Sequence, residues 1–391
     1  MPKWTHERVI AFLPFAVFVA TFDRSVVAPM LVGMGQDFGV NLATITLSAS
    51  AYYLAYGLAQ PVWGIISDRL GRIATLRLAL VLAGVFDLVS IIPMDIGYFI
   101  FARAVAGAMM AGVFPTAVIY IGDTIDDRRK RLPAIANLQT GVAMGLTFGT
   151  VLGGIGIATI GWQAFFVATA LVCFGIAWYV RAIPNPKPGP DRLPVIASFA
   201  TVFKNKWALL LFGLVFVEAA VLLGAFALVP AALETQGSSA ILAGLVTGAY
   251  GISVLFTSIF VRKRAVNVPP HHFLFYGGTA ATIGFILLAF RVSAVTVFIS
   301  VIFQGMSWVL MHTTLQTWAT SIAQEARATT VSLFAGFMFL GNGAGAYGAS
   351  HLLEFDGATA LFASAGFLMI GLTVIAVITQ RRHFHLPDSI A

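Results

Sequence analysis

With 59% hydrophobic and 10% charged residues, the 391-residue chain departs from the roughly 45–50% and 25% of soluble domains, which excludes an ordinary soluble enzyme. Its net charge of +7 comes from basic residues spread over many short loops, the pattern of a positive-inside membrane protein and not of a nucleic-acid surface. The single cysteine, Cys173, lies in an apolar stretch, so an intrachain disulfide and a cysteine-ligated metal site are both excluded.

Cutting at charge clusters and turn residues leaves twelve apolar segments: 9–31, 44–66, 73–94, 96–120, 133–157, 161–182, 206–231, 240–261, 271–290, 294–320, 328–351 and 356–380. Each has about 20 residues, the length that crosses a hydrocarbon core of about 30 Å. The first is long enough to span, so no cleavable signal peptide is expected. Backbone groups in lipid must be satisfied within the segment, and no alternating-strand pattern occurs, so the expected fold is an all-α integral membrane protein. Placing both termini in the cytoplasm puts all but Arg24, Arg103 and Arg291 of the 23 Lys and Arg on the inner side. The runs Arg128, Arg129, Lys130, Arg131 and Arg262, Lys263, Arg264 are the strongest inner markers.

Pro184, Pro186, Pro188, Pro190 and Pro194 interrupt the hydrophobic pattern and predict a stiff, extended linker. The expected organisation is therefore a six-helix half over 1–182, a cytoplasmic linker over 183–205, and a second six-helix half over 206–391. The halves resemble each other. Ala55, Tyr56 and Gly57 recur as Ala249, Tyr250 and Gly251 at an offset of 194, and Gly145, Gly149 and Gly161 recur as Gly341, Gly345 and Gly357 at an offset of 196.

Between the second and third segments, Gly64, Asp68, Arg69, Gly71 and Arg72 make a charged, glycine-punctuated turn reading G-x-x-x-D-R-x-G-R. In the first segment Phe22, Asp23, Arg24, Ser25, Val26 and Val27 follow one another. The fourth carries Arg103 and Gly107 as R-x-x-x-G, and the fifth carries Gly145, Gly149, Thr150, Gly153 and Gly154. Glu325, Arg327 and Thr329 precede the eleventh. Over its whole length the chain resembles the major facilitator superfamily, and within it the twelve-span drug/proton antiporters. The resemblance implies two pseudo-symmetric six-helix halves. It also implies that Gly64, Asp68, Arg69, Gly71, Arg72 and Asp123 gate the inner mouth by latching the outward-facing state, the alternative being a turn that only faces headgroups. Proline is the family's residue at position 150. Threonine there predicts a straighter fifth helix, because it keeps the backbone bond that proline would remove. The glycines themselves read best as a packing motif that lets a neighbouring helix approach closely.

Ionisable groups inside membrane segments are costly and mark ion or substrate pathways. At a rise of about 1.5 Å per residue, Asp23 lies roughly 20 Å in from the inner side and Arg103 roughly 10 Å in from the outer side, at a shared depth. Asp23 and Arg103 are thus candidate proton-coupling residues, with a purely structural bridge from Asp23 to Arg103 or Arg24 as the alternative. Glu218, near the middle of the seventh segment, is a third candidate and an anchor for a cationic cargo; at 195 positions after Asp23 it suggests a symmetry mate. Asp87 falls in a segment that the resemblance makes peripheral, so a structural hydrogen bond is its expected role. Arg24, Phe216, Glu218, Gln304, His312 and Asn342 are the candidate cavity residues, each also explicable by helix packing. His383 and His385 lie in a tail without further ligands and carry no metal site.

No metalloprotease helix, nucleophile elbow or phosphate-binding loop occurs, so neither an enzyme nor a cofactor is expected, and ATP-driven transport is excluded for the chain alone. The expected function is proton-coupled export of small lipophilic or drug-like molecules by a monomer in the lipid bilayer. A carrier of a sugar, an amino acid derivative or a lipid is the alternative, which Thr150 keeps open. Short loops, no external N-x-S/T site and no organelle-targeting segment favour a bacterial inner membrane.

Overall fold

The computed structural model describes residues 6–125, 127–183, 195–264, 268–323 and 326–385; side chains are described for these except 6–8, 128–130, 132, 136, 182, 195–197, 262–264, 328 and 383–385. The proline tract 184–194, Glu325, and the side chains of Arg128 to Lys130, Arg262 to Arg264, His383 and His385 therefore lie outside the described residues. Among the described residues every regular element is helical, and the chain divides into two compact units, Met1–Val195 and Ile196–Ala391.

Unit 1 contains α1 (His6–Ser25), a tight 3-10 turn (Ala28–Met30) leading into α2 (Leu31–Phe38), α3 (Leu42–Leu70), α4 (Arg72–Ser90), α5 (Ile96–Met110), α6 (Val113–Thr124), α7 (Arg128–Thr159) and α8 (Gln163–Tyr179). The pairs α1/α2 and α5/α6 each make one crossing. Unit 2 opens with a short helix, α9 (Val195–Lys204), followed by α10 (Lys206–Ala219), α11 (Val229–Glu234), α12 (Ala240–Arg264), α13 (Pro270–Phe290), α14 (Ala294–Ser307), α15 (Thr313–Ile322), α16 (Arg327–His351) and α17 (Gly357–His385). A π-helical segment, Ala220–Ala225, and a 3-10 turn, Phe226–Leu228, join α10 to α11; π-segments at Trp308–His312 and Leu352–Asp356 join α14 to α15 and α16 to α17.

Nine helical runs among the described residues are long and apolar enough to cross a membrane. The last of them, Thr329–Arg382, is broken at Gly357, whose φ of 85° reverses the chain and separates α16 from α17. Outside the nine, α8 is an apolar helix of 17 residues, and α3 has 29 residues but buries Thr46, Ser48, Ser50 and Gln60. The twelve expected segments fall mainly on helix; residues 91–94, expected in the third, lie past the end of α4, and the first breaks at 26–30. Two further details differ from the expectation. Residues 195–204, read as extended linker, are helical, since no proline follows Pro194. And α7 starts at Arg128, five residues before the expected boundary.

Both units use the same internal pairing. In unit 1, α1 packs on α7, α3 on α5, and α4 on α5 and α8; in unit 2, α10 packs on α16, α12 on α14, and α13 on α14 and α17. The helix starts repeat as well. Asn41 caps α3 through the Thr44 amide (2.9 Å), and Ser239 accepts from the Leu242 amide (3.2 Å) at the start of α12. Asp95 caps α5 through Tyr98 (3.1 Å), and Ser293 caps α14 in a capping box with Thr296. Both pairs are 198 residues apart, as are the left-handed glycines Gly39 and Gly237.

The close approaches at glycine carry the register into the helices. A Cβ on Gly107 would collide with the Tyr52 carbonyl, and one on Gly305 would lie 2.9 Å from the Tyr250 carbonyl. Gly145 meets the Phe18 carbonyl as Gly341 meets that of Phe216. The internal register is therefore 198 through the first four crossings and 196 in the fifth, where the glycine matches hold. The Ala-Tyr-Gly match at 194 is coincidental: Tyr250 corresponds to Tyr52 and not to Tyr56.

Candidate functional site

Each unit holds its own buried polar cluster. In unit 1 the centre is Arg103 of α5, 2% exposed, between two carboxylates that are fully buried, Asp23 of α1 and Asp87 of α4. Its Nη2 donates to both oxygens of Asp23 (3.2 and 3.1 Å), and its Nη1 donates to Asp87 Oδ1 at 2.7 Å. The Tyr52 and Phe166 rings lie 4.8 and 4.4 Å from the guanidinium carbon, adding cation–π attraction. Gly107, one turn beyond Arg103, is what lets α3 come close enough to bring Tyr52 there. The second oxygen of Asp87 is buried and receives no N–H or O–H donor, and the Asp87 carboxyl lies within hydrogen-bonding reach of Asp23. Arg24, half-buried, lines a small cavity with Val27, Ala49, Tyr52, Tyr53 and Arg103, and its carbonyl accepts from the Tyr53 hydroxyl at 3.2 Å.

Asp87 is the member the sequence reading set aside. Helix α4 lies against both α5 and α8, and this packing brings Asp87 onto Arg103. The three charges have no counterpart in unit 2. At the register of 198 they correspond to Val221, Phe285 and Val301, all buried and apolar. The same helical scaffold thus closes with hydrophobic side chains, so its packing does not require Asp23, Asp87 and Arg103.

At the start of α4, Arg72 is buried and makes three bonds: Nε to Asp123 Oδ2 (2.8 Å), Nη1 to Asp68 Oδ1 (2.7 Å) and Nη1 to Ser67 Oγ (3.2 Å). Gly71, at φ 86°, makes the turn between α3 and α4 that brings Arg72 back onto Ser67 and Asp68 of α3. Arg69 is exposed and takes part in none of these bonds. Gly64 is half-buried, with open space where a Cβ would stand.

In α7 the packing motif does what small residues do in membranes. Gly145 and Gly149 meet the carbonyls of Phe18 and Phe22 on α1, Gly153 meets that of Val26 just past its end, and Ser25 donates to the Gly145 carbonyl at 3.0 Å. Gly154 is buried beside them. Thr150 turns its hydroxyl back to the Leu146 carbonyl (2.7 Å), and α7 runs unbroken from Arg128 to Thr159.

In unit 2, Glu218 of α10 is fully buried and its Oε2 lies 2.9 Å from His312 Nδ1. The pair spans 94 residues of sequence. The His312 ring stacks on Trp308 with centroids 3.8 Å apart, and Phe334 lies at 5.4 Å. Both partners adjoin π-segments, Glu218 just before Ala220–Ala225 and His312 inside Trp308–His312; such bulges are frequent at functional sites. The Oε1 of Glu218 has no partner. Gln304 donates to Ser300 at 2.7 Å and leaves its Oε1 unpaired, while Asn342 leaves its Oδ1 unpaired. Phe216 is half-buried one turn before Ala220. In the internal register Glu218 corresponds to Ala20 and not to Asp23, so the two acids are not symmetry mates but stand nearly one helical turn apart. Among the described residues no cluster of His, Cys, Asp or Glu is built to hold a metal ion.

The model of the Major Facilitator Superfamily matches residues 13–346. The chain belongs to the major facilitator superfamily. Membership makes it a multi-pass membrane transporter and not an enzyme. The efflux pump dotC of Dothistroma septosporum is 28% identical over 198 residues, 50% of this chain and 33% of that protein, so the match spans about a third of the relative. A probable sugar efflux transporter of Pasteurella multocida is 24% identical over 388 residues, 98% of this chain and 94% of the other. Multidrug resistance protein D of Escherichia coli is 24% identical over 207 residues, 52% of each chain. Among solved structures, a POT family transporter in complex with 5-aminolevulinic acid aligns with a TM-score of 0.75 and 13% identity over 96% of both chains. An inward-facing bacterial homolog of the human lysosomal transporter Spinster aligns at 0.71 and 17% identity, covering 96% of this chain and 95% of that one. At these identities the solved structures speak for the facilitator fold alone.

Proposed function

We propose that this facilitator is a proton-coupled exporter of small lipophilic or drug-like organic molecules, working by alternating access in a bacterial inner membrane with both termini cytoplasmic. The observation that carries the reading is the buried Asp23–Arg103–Asp87 cluster, whose positions in the other unit are Val221, Val301 and Phe285. Burying three charges costs several kcal/mol per ion before pairing offsets it, and apolar side chains of similar volume serve packing as well or better. A fold that tolerates hydrophobic residues there and yet carries two acids on one arginine is using them for ion handling. Two relatives named as a multidrug resistance protein and an efflux pump support the export direction. Asp23, Arg103 and Glu218 are the coupling residues of this reading, and His312 is hydrogen-bonded to Glu218. Arg24 in unit 1 and Phe216, Gln304 and Asn342 in unit 2 are the cargo-contacting residues of this reading. Asp68, Arg72 and Asp123, with the glycines and Arg69 around them, form the inner gate.

A sugar or related metabolite is the second reading, favoured by the probable sugar efflux transporter that matches almost end to end. Expression in an efflux-deficient bacterial strain decides between them. Raised tolerance to lipophilic cations or neutral antibiotics supports the first reading. Unchanged tolerance with accelerated loss of a preloaded sugar supports the second.

A further inference from the structure

We infer that Asp87, and not Asp23, is the carboxyl that carries the transported proton; this deepens the proton-coupled reading above and rests on it. Two carboxylates and one guanidinium, all 2% exposed or less, would hold a net charge of −1 out of contact with water if both acids were ionised. An uncompensated buried charge is the costliest arrangement open to the site, and one proton removes it.

The geometry says which acid takes it. Both Asp23 oxygens lie within 3.2 Å of Arg103 Nη2, so the whole carboxylate is engaged by the cation. Asp87 is engaged by one oxygen. Its Oδ1 receives Nη1 at 2.7 Å, a short bond for which the charged donor alone suffices, and its buried Oδ2 receives no N–H or O–H donor. The Asp23 carboxyl lies within hydrogen-bonding reach of Asp87, so a proton on Asp87 cancels the charge and can bridge to Asp23 while Oδ1 keeps its bond to Arg103. The same proton on Asp23 would spend an oxygen that Arg103 already satisfies.

The elements packed on α4 leave the assignment unchanged. Arg103 comes from α5 and Tyr52 from α3, and Cys173 of α8 lies within electrostatic reach of Asp87. Asp123 of α6 is occupied at the other end of α4 by Arg72, and Arg181, just past α8, is stacked on Trp178. In the cycle the O–H bond at Asp87 Oδ2 breaks, the proton passes to water, and the site charge goes from zero to −1, with Arg103 then shared by two carboxylates. Reprotonation reverses each step. Asp23 is the fixed counter-ion that holds Arg103 in place; without it Asp87 would become the permanent partner of the arginine and could no longer titrate.

Infrared difference spectra of the purified protein, taken between acidic and alkaline buffer, test this without any cargo. Wild type is expected to show the carbonyl band of a protonated carboxyl. Asp87→Glu is expected to move that band to the glutamic acid position, and Asp23→Glu to leave it at the aspartic acid position. A band that moves with Asp23→Glu and stays with Asp87→Glu overturns the inference. As a check that needs no variant, dicyclohexylcarbodiimide, which attacks protonated carboxyls, is expected to label Asp87 in wild type; label on Asp23 overturns it equally. A wild type with the Asp87 band that moves no protons in vesicles would refute coupling and leave the protonation assignment standing, so the two claims fail separately.

Discussion

His312 Nδ1 and Glu218 Oε2 meet at 2.9 Å inside unit 2, with the histidine ring laid flat against Trp308. Removing one partner of a buried hydrogen bond leaves the other unsatisfied, at a cost of about 1–3 kcal/mol. His312→Ala should therefore lower the thermal unfolding temperature of the purified protein markedly. His312→Gln, which can still donate to Glu218, should recover most of the loss. Equal melting of the two variants would mean that the histidine acts by packing on Trp308 and not through the acid.

Arg72 supports a graded prediction. Asp123 has a side chain 9% exposed against 42% for Asp68, so the two bonds differ in worth although their lengths are alike. Exposed pairs contribute about 1 kcal/mol or less. Truncating one partner of a buried pair costs about 2–5 kcal/mol. Arg72→Ala and Asp123→Ala should both be strongly destabilised in denaturant or thermal unfolding, and Asp68→Ala hardly at all. If Asp68→Ala nonetheless abolishes transport, its role is in gating and not in holding the fold.

The glycines divide by what surrounds them. Gly107→Ala and Gly341→Ala each place a methyl against a backbone carbonyl, of Tyr52 and Phe216, which cannot rotate away. Overpacking of this kind costs about 1–3 kcal/mol. Gly107→Ala should also push Tyr52 off Arg103 and impair transport beyond its effect on stability. Gly64→Ala meets open space and should melt like wild type. Comparing melting temperatures with transport rates for the three variants checks this directly.

Much of the fold was legible because lipid leaves few options: segment length, the proline tract and the loop charges sufficed to place helices. Asp23 and Arg103 could be matched by depth, since rise per residue is constant along a helix. Asp87 was not legible in the same way. Its depth was just as readable, but which face of α4 meets α5 is decided by packing. The partnership of Glu218 and His312 was hidden for another reason. The π-segments beside both residues shift the helical phase, so periodicity cannot say which way either side chain points. The repeat was visible through the fifth-segment glycines, yet a three-residue coincidence around Tyr250 pulled the register four residues off. Helix caps corrected it, because Asn41 and Ser239, or Asp95 and Ser293, do the same job with different residues.

The coupling claim is tested most directly by proton movement in proteoliposomes carrying an imposed pH gradient and a pH-sensitive dye. Tetraphenylphosphonium, a neutral antibiotic and a sugar would be added in turn to wild type and to Asp23→Asn. One of these is expected to collapse the gradient in wild type. No collapse is expected in the variant, where Asp87 is left as the sole counter-ion of Arg103. Substrate that equilibrates in wild type without moving protons, or a variant that still couples, would contradict it.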